Sequence, residues 1–294
     1  MSRIFARTFR VRWSEIDADG QVGPAGYQRY LVETAYDWGA TGQLGAENSE
    51  ALGLIWVIRE TEFSFIRPLR YNDIFDFTIW MVKWRRVRGT RAFELRLKDG
   101  GEVVAQGVQQ VACLDSESLR PTSPPEHIIE NFRVDNPRVF PHQRFPKVPP
   151  PPEAALVMQR QVEWQDLDML EHVNNAIYVT YAEEAAAQAL AAVGWSPAHL
   201  RTQGLAVANR RIHIQYQSPA IWGDKLNVVT YLVGLGDTGG VRYVAVERAS
   251  DGAGIIECII DWTLVDRVTG EAQPLPESLS IALKEKVAVT GCSP

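Results

Sequence analysis

Apolar and polar residues alternate through "IFARTFRVRW" (4–13), as they do along a strand with one buried face. The period then changes. From about Pro24 to Trp38 the large side chains Tyr27, Tyr30 and Leu31 recur three and four residues apart, the spacing of one face of an α-helix. Four aromatic and β-branched runs follow: "WVIRETEFSFIRP", "IFDFTIWMVKW", "RAFELRLK" and "EVVAQGVQQVACL", with "DGG" (99–101) as a hairpin turn between the last two. One helix ahead of a long antiparallel meander predicts a sheet wrapped around that helix.

The pattern then starts again. "VRWSEIDADGQVGPAGYQRYLVETA" (11–35) aligns without a gap on "VEWQDLDMLEHVNNAIYVTYAEEAA" (162–186), at an offset of 151 residues. Nine positions agree, among them Trp13/Trp164, Asp17/Asp168, Tyr27/Tyr178, Tyr30/Tyr181 and Glu33/Glu184; composition alone would give roughly one or two. The same offset pairs Arg59/Arg210, Pro68/Pro219, Asp73/Asp224, Arg91/Arg242, Pro125/Pro276 and Glu126/Glu277. One fold is duplicated. The second helix is expected from about Asn175 to Val193, stopping at Gly194, and its alanines suit a sheet that approaches closely. Its strands are "VANRRIHIQYQSP", "LNVVTYLVG", "VRYVAVERA" and "GIIECIIDWTLV". Between the copies, the prolines of residues 136–153 predict a stiff linker, leaving domains at 1–135 and 154–294. Two such α+β domains in one chain would pair as an internal pseudo-dimer, with further homo-oligomerisation left open.

Composition narrows the function classes. The chain has 294 residues, enough for two domains, and is 46% hydrophobic and 22% charged, ordinary values for a globular protein. A net charge of −6 gives no global reason to expect nucleic acid or an anionic membrane, and no apolar run is long enough to span a bilayer. Cys113, Cys258 and Cys292 form no CxxC and cannot all pair, so a reducing cytoplasm is expected. Histidines are few, with no HxxxH or cysteine cluster, so neither metal nor other cofactor is expected.

"WQDLDMLEHVNNAIYVTYAEE" (164–184) concentrates the candidate chemistry. An Asn ahead of a helix is a natural N-cap, and capping alone would account for Asn174 and Asn175. A helix start also offers unpaired N–H groups and a positive dipole end, where an oxyanion could be stabilised, beside the carboxylate of Asp168 and the imidazole of His172. The first copy has Asp17, but Gln21 stands at the His172 position and Pro24, with no N–H, at the Asn175 position. One active centre, in the second copy, is expected.

The motif Trp-x-Asp-Leu-Asp-x-x-x-His-Val-Asn-Asn-x-x-Tyr-x-x-Tyr resembles the hot-dog-fold thioesterases. The tandem arrangement is similar to acyl-ACP thioesterases and to the 4-hydroxybenzoyl-CoA thioesterase superfamily. The resemblance implies two hot-dog domains and hydrolysis of an acyl-CoA or acyl-ACP thioester. It implies Asp168 as the catalytic carboxylate, either attacking the carbonyl or activating a water. It places His172 beside the substrate and the Asn175 amide on the thioester carbonyl. Leu170 stands where the plant enzymes carry Asn, and no later-strand carboxylate or cysteine is found near Pro219, so an Asp-centred mechanism is expected. Tyr178, Glu184 and Asp17 are candidate substrate-binding residues; for Glu184 a solvated helix position is the plainer alternative. Arg85, Arg86 and Arg88, in the basic run "KWRRVRGTR", are candidates for docking CoA phosphates or an acidic carrier protein, against a solvated hairpin. A hot-dog hydratase or dehydratase, and a silent acyl-thioester binder, are the rival readings.

Overall fold

The computed structural model describes residues 3–44 and 46–288, the side chains of 46–48 excepted; Cys292 lies outside the described residues. The chain divides into two compact units, Met1–Gln143 and Arg144–Pro294. The division falls inside the proline-rich segment.

The first unit runs β1 (Phe5–Arg10), a 3-10 turn (Trp13–Glu15), α1 (Pro24–Thr41), α2 (Ala46–Ala51), β2 (Leu54–Phe65), β3 (Ile74–Arg85), β4 (Arg88–Leu97), β5 (Val103–Asp115) and α3 (Glu126–Phe132). Its strands form an antiparallel sheet in the order β1-β3-β4-β5-β2. The second unit repeats the plan with β6 (Leu156–Gln161), a 3-10 turn (Trp164–Asp166), α4 (Asn175–Ala191), α5 (Pro197–Thr202), β7 (Leu205–Tyr216), β8 (Lys225–Leu235), β9 (Gly239–Arg248), β10 (Gly254–Asp266) and α6 (Glu277–Lys284). Its order is β6-β8-β9-β10-β7, again antiparallel. Each unit is therefore the expected hot-dog arrangement, one long helix packed on an antiparallel sheet.

The duplication holds to the residue. Phe5 faces Ile79 across β1–β3 and Leu156 faces Thr230 across β6–β8, the same pair displaced by the repeat. The register slips between Met81 and Lys83 in β3 and between Leu232 and Gly234 in β8. Arg59 and Arg210, identical in the two copies, are each the unpaired residue of a bulge in β2 and β7. An extra residue re-aims the strand beyond it, and both halves make that bend at the same place.

The helices bury what the periodicity assigned. Tyr27, Tyr30, Leu31 and Trp38 of α1 sit in a core with Phe63, Phe75, Phe77 and Phe93. In α4 the inward positions are Ala176, Tyr178, Tyr181, Ala182 and Ala185, all 3% exposed or less, so the helix backbone comes close to its sheet. Two tyrosines clamp each helix. The Tyr27 and Tyr178 hydroxyl oxygens accept the N–H groups of Leu69 (2.8 Å) and Ala220 (3.0 Å), in the segments leading to β3 and β8. The Tyr30 and Tyr181 hydroxyls donate to Glu15 and Asp166 in the 3-10 turns, both at 2.7 Å.

Two features differ from expectation. The sequence reading had one helix per copy, whereas four short helices are added. α3 and α6 begin directly after the repeated Pro125/Pro276, with Glu126 and Glu277 in their first turns, where a carboxylate favours a helix start. Residues 136–153, expected as a stiff linker, also make side-chain contacts that the sequence reading did not include. Arg138 pairs with Glu94 at 2.6 Å, its carbonyl accepts the Trp80 indole N–H, and Phe140 is buried against Trp80. Beyond the division, Phe145 and Val148 pack on Tyr231 and Tyr243, and the Tyr231 hydroxyl donates to the Pro149 carbonyl. The prolines free the segment from any strand ladder, and side chains then strap it onto each unit.

Among the described residues, Gln28 of α1 departs furthest from the rule that interior polar atoms are paired. Gln28 of α1 is 1% exposed, and neither its Oε1 nor its Nε2 has a partner among the described residues. Its repeat position in α4 is Val179, an ordinary apolar core residue.

Two stability predictions follow from this bonding. Tyr178→Phe leaves the Ala220 N–H buried without an acceptor and should cost about 1–3 kcal/mol. Urea unfolding should register it, while Phe at exposed Tyr36 should change little. Gln28→Leu removes an unpaired amide at nearly constant shape and should stabilise by about 1 kcal/mol or more. A lower unfolding midpoint for that variant would mean the amide is satisfied in solution.

Candidate functional site

The candidate site is the loop that carries the chain from the second 3-10 turn into α4. Leu167 and Val173 form an antiparallel bridge, and the residues between them close a tight turn. The Asp168 N–H donates to the His172 carbonyl at 2.9 Å, and the Glu171 N–H to the Asp168 carbonyl at 3.0 Å. Asp168 Oδ1 accepts the Leu170 N–H at 2.9 Å. Glu171 takes a left-handed φ of 60°; its repeat position, Gly20, has φ 76°, so the turn demands that conformation in both copies. The Val173 N–H donates to the Ala220 carbonyl, and the Asn174 N–H to that of Asp166. The loop is thus tied to both the 3-10 turn and the segment before β8.

The sequence-predicted residues Asp168, His172, Asn174 and Asn175 all fall on this one junction. Asp168 is half-buried and His172 exposed. Asn174 is the N-cap of α4, its Oδ1 accepting the Ala176 N–H at 2.9 Å. Asn175 is the first helical residue, so its N–H has no intrahelical acceptor and points out of the helix start. The negative charge of Asp168 is felt at the Tyr178 hydroxyl. Burial chiefly pushes that phenol up to about 12, the Ala220 N–H opposes the shift, and Asp224 and Asp168 add to it. Met169 (91% exposed) and Leu170 (57%) place apolar surface directly after the carboxylate.

In the first unit the same turn recurs without this equipment. The Asp17 N–H donates to the Gln21 carbonyl, and Asp17 Oδ1 accepts the N–H groups of Asp19 and Gln21. Partial desolvation raises the Asp17 carboxyl, against the downward pull of those amide bonds. α1 is capped by Gly23 with no side-chain bond, and Pro24 occupies its first position. The first helical position therefore has no N–H to offer.

The other candidates lie elsewhere. Tyr178 is buried with its hydroxyl committed to Ala220, a packing role. Glu184 is exposed, and Oε1 accepts the Gln188 side-chain amide one helical turn on. Arg85, Arg86 and Arg88 are exposed around the β3–β4 turn of the first unit, with Arg86 at φ 51°. Neither described cysteine is an activated nucleophile. Both are free and buried, and burial lifts the Cys113 thiol to about 11 and raises that of Cys258. Sequence reasoning missed Gln28; a polar residue at an inward helix position whose twin is Val179 was the available signal.

No helix among the described residues is long and apolar enough to cross a membrane. A palmitoyl-acyl carrier protein thioesterase of Cuphea hookeriana is 22% identical over 94% of this chain and 66% of its own length. An acyl-[acyl-carrier-protein] hydrolase of Cuphea viscosissima is covered over 62% of its length, so the chain spans about two thirds of these relatives. The long-chain acyl-CoA thioesterase FadM of Escherichia coli is 28% identical over 44% of this chain and 97% of its own. Among solved structures, an acyl-ACP thioesterase from Bacteroides thetaiotaomicron superposes with TM-score 0.71 at 16% identity, over 89% of this chain and 100% of that one. The 12:0-ACP thioesterase from Umbellularia californica gives 0.69 at 18% identity, over 90% and 98%. At such identities these two likenesses establish the shared fold. The family model of the thioesterase-like superfamily matches residues 11–132 and again 162–283, so the chain belongs to that superfamily and carries its domain twice.

Proposed function

We propose that the chain hydrolyses an acyl thioester of CoA or of acyl carrier protein, with one reaction centre at the head of α4. The observation that carries this reading is the contrast between the copies: only the second sets a carboxylate, an imidazole and a helix-start amide on one junction. The names of the relatives, acyl-ACP and acyl-CoA thioesterases, supply the substrate class.

In the proposed chemistry the thioester carbonyl oxygen accepts the Asn175 N–H, which sits at the positive end of the α4 dipole and stabilises the developing oxyanion. Asp168 takes a proton from water as hydroxide adds to the carbonyl carbon, and the C–S bond breaks as the tetrahedral adduct collapses. The thiolate leaves and recovers that proton, giving free acid and thiol. The alternative step is direct attack by Asp168, forming a mixed anhydride that water then cleaves. His172 orients the substrate or stabilises developing charge, and Asn174 holds the helix start open. Asp17 closes the corresponding turn of the first unit without a catalytic role. Arg85, Arg86 and Arg88 dock the carrier, and Tyr178 and Glu184 support the helix that presents the site. A reducing cytoplasm suits the two described cysteines, both free.

Asp168→Asn retains an Oδ1 acceptor for the Leu170 N–H, so the turn survives while the base is lost. Turnover of acyl thioesters should fall by about a hundredfold or more, read as free thiol release at saturating substrate. Asp17→Asn should keep most of that turnover. Equal and severe losses from both would end the single-site reading. Replacing Arg85, Arg86 and Arg88 together by Gln should raise KM for an acyl-ACP substrate about tenfold with little change in kcat, an effect that added salt should mimic. An unchanged KM would remove the hairpin from carrier docking.

A further inference from the structure

A cavity of about 510 Å³ opens in the first unit where β1 runs into the 3-10 turn. Three arginines line it, Arg7, Arg10 and Arg12, together with the aromatic pair Trp13 and Tyr71. Its inner wall includes Tyr30 and Glu15, and that carboxylate is engaged: Glu15 Oε2 accepts the Tyr30 hydroxyl and the Arg12 backbone N–H. Arg7 is neutralised by Glu33 and Asp37. Arg10 is not. Its Nε and Nη2 both donate to the uncharged Asn72 Oδ1, at 3.0 and 2.6 Å. No carboxylate among the described residues forms an ion pair with Arg10 or Arg12, and Arg12 is exposed. Trp13 is 73% exposed and Tyr71 44%, their rings edge to face at 5.5 Å.

The second unit is an internal control for what the fold itself requires. It keeps the aromatic pair, as Trp164 and Trp222 at 6.0 Å, and it keeps the tyrosine–carboxylate bond, as Tyr181 to Asp166. It keeps none of the three arginines: Met158, Gln161 and Glu163 occupy their repeat positions. Its one cation at a corresponding position, Arg160, lies 4.4 Å over the Tyr181 ring. The scaffold therefore forms without arginines at these positions.

We propose that this cavity binds a nucleoside phosphate, with Arg10 and Arg12 on the phosphate and the Trp13–Tyr71 pair against the base. Guanidinium groups present planar, bidentate donors matched to phosphate oxygens. Exposed aromatic rings stack on a base regardless of its identity. The volume suits a small-molecule site. Two sources carry this chemistry, a free nucleotide and the phosphorylated adenosine end of coenzyme A. The site is defined by binding and stands whether or not the second unit hydrolyses thioesters.

Calorimetric titration of the full chain with adenosine 3′,5′-bisphosphate, adenosine, inorganic phosphate and coenzyme A tests it. The bisphosphate should bind saturably at one site, more tightly than adenosine or phosphate, and rising salt should weaken it. Arg10→Gln with Arg12→Glu installs the residues the second unit bears at these positions, so the fold should persist, as matched thermal unfolding would verify. Affinity should fall at least about tenfold. Trp13→Ala should weaken the bisphosphate and leave inorganic phosphate unaffected. Competition by coenzyme A would assign the site to its nucleotide end; bisphosphate binding without such competition would assign it to free nucleotides. No saturable binding by the wild type, binding unchanged in the double variant, or phosphate alone binding as well as the bisphosphate would each overturn the proposal.

Discussion

The tyrosine clamps govern the geometry of both units. A helix lying on a sheet is held by apolar packing that is indifferent to small slides, and a slide along the helix axis would carry its first amide away from the loop in front of it. Tyr27 and Tyr178 resist this by accepting a backbone N–H that would otherwise be buried without a partner. Breaking such a bond costs more than forming it gains, because the stranded donor has lost its water. Tyr30 and Tyr181, one turn further, anchor the same helices to the carboxylates of the 3-10 turns. Two polar bonds one helical turn apart fix both the position and the rotation of each helix.

That constraint transmits to the loop. Asp166 accepts the Tyr181 hydroxyl with its side chain and the Asn174 N–H with its carbonyl, so a single residue links the helix interior to the helix cap. The cap in turn leaves the Asn175 amide facing outward. Pre-organisation of this kind matters for acyl transfer, since a donor aimed at developing charge contributes only if it need not reorganise during the reaction. The first unit has the same clamp through Glu15, yet spends its helix start on Gly23 and Pro24. Proline fits that first helical position well because the missing N–H is one the helix would not have used. A residue ideal for starting a helix thus removes the first of its outward N–H groups.

Much of this was legible in the sequence because two aligned copies turn single residues into paired observations. The long helices, the eight meander strands and the capping role of Asn174 were all visible from periodicity and repeat. α3 and α6 were not, since seven or eight residues give too few turns for a period to emerge, although the repeated Pro-Glu pair marked both starts. The bulges were equally hidden: Arg59 and Arg210 read as ordinary strand residues, and only the register shows each without a cross-strand partner. The contacts of the strap were hidden for a different reason. Proline content reports on backbone stiffness, whereas Phe140 and Phe145 dock through side chains that composition treats as incidental.

The identity of Asp17 and Asp168 carries less functional weight than it first suggests. Both carboxylates accept backbone N–H groups within their own turns, and in both turns a left-handed residue follows the first bridge residue by four positions, Gly20 after Ile16 and Glu171 after Leu167. A turn-forming role would preserve aspartate in each copy with no chemistry at all, since a short acceptor bonding two residues ahead is what such a turn needs. What sets the second copy apart is what it adds to a shared turn: His172 in place of Gln21, a side-chain cap at Asn174 in place of Gly23, and an amide at Asn175 in place of Pro24. Three changes within four residues, all in the direction of a donor-rich, imidazole-flanked helix start, are more than a turn requires. Along β1 the difference is reversed, and the first copy holds the arginines that the second does without. Each half has kept the clamp and diverged where the clamp leaves side chains free.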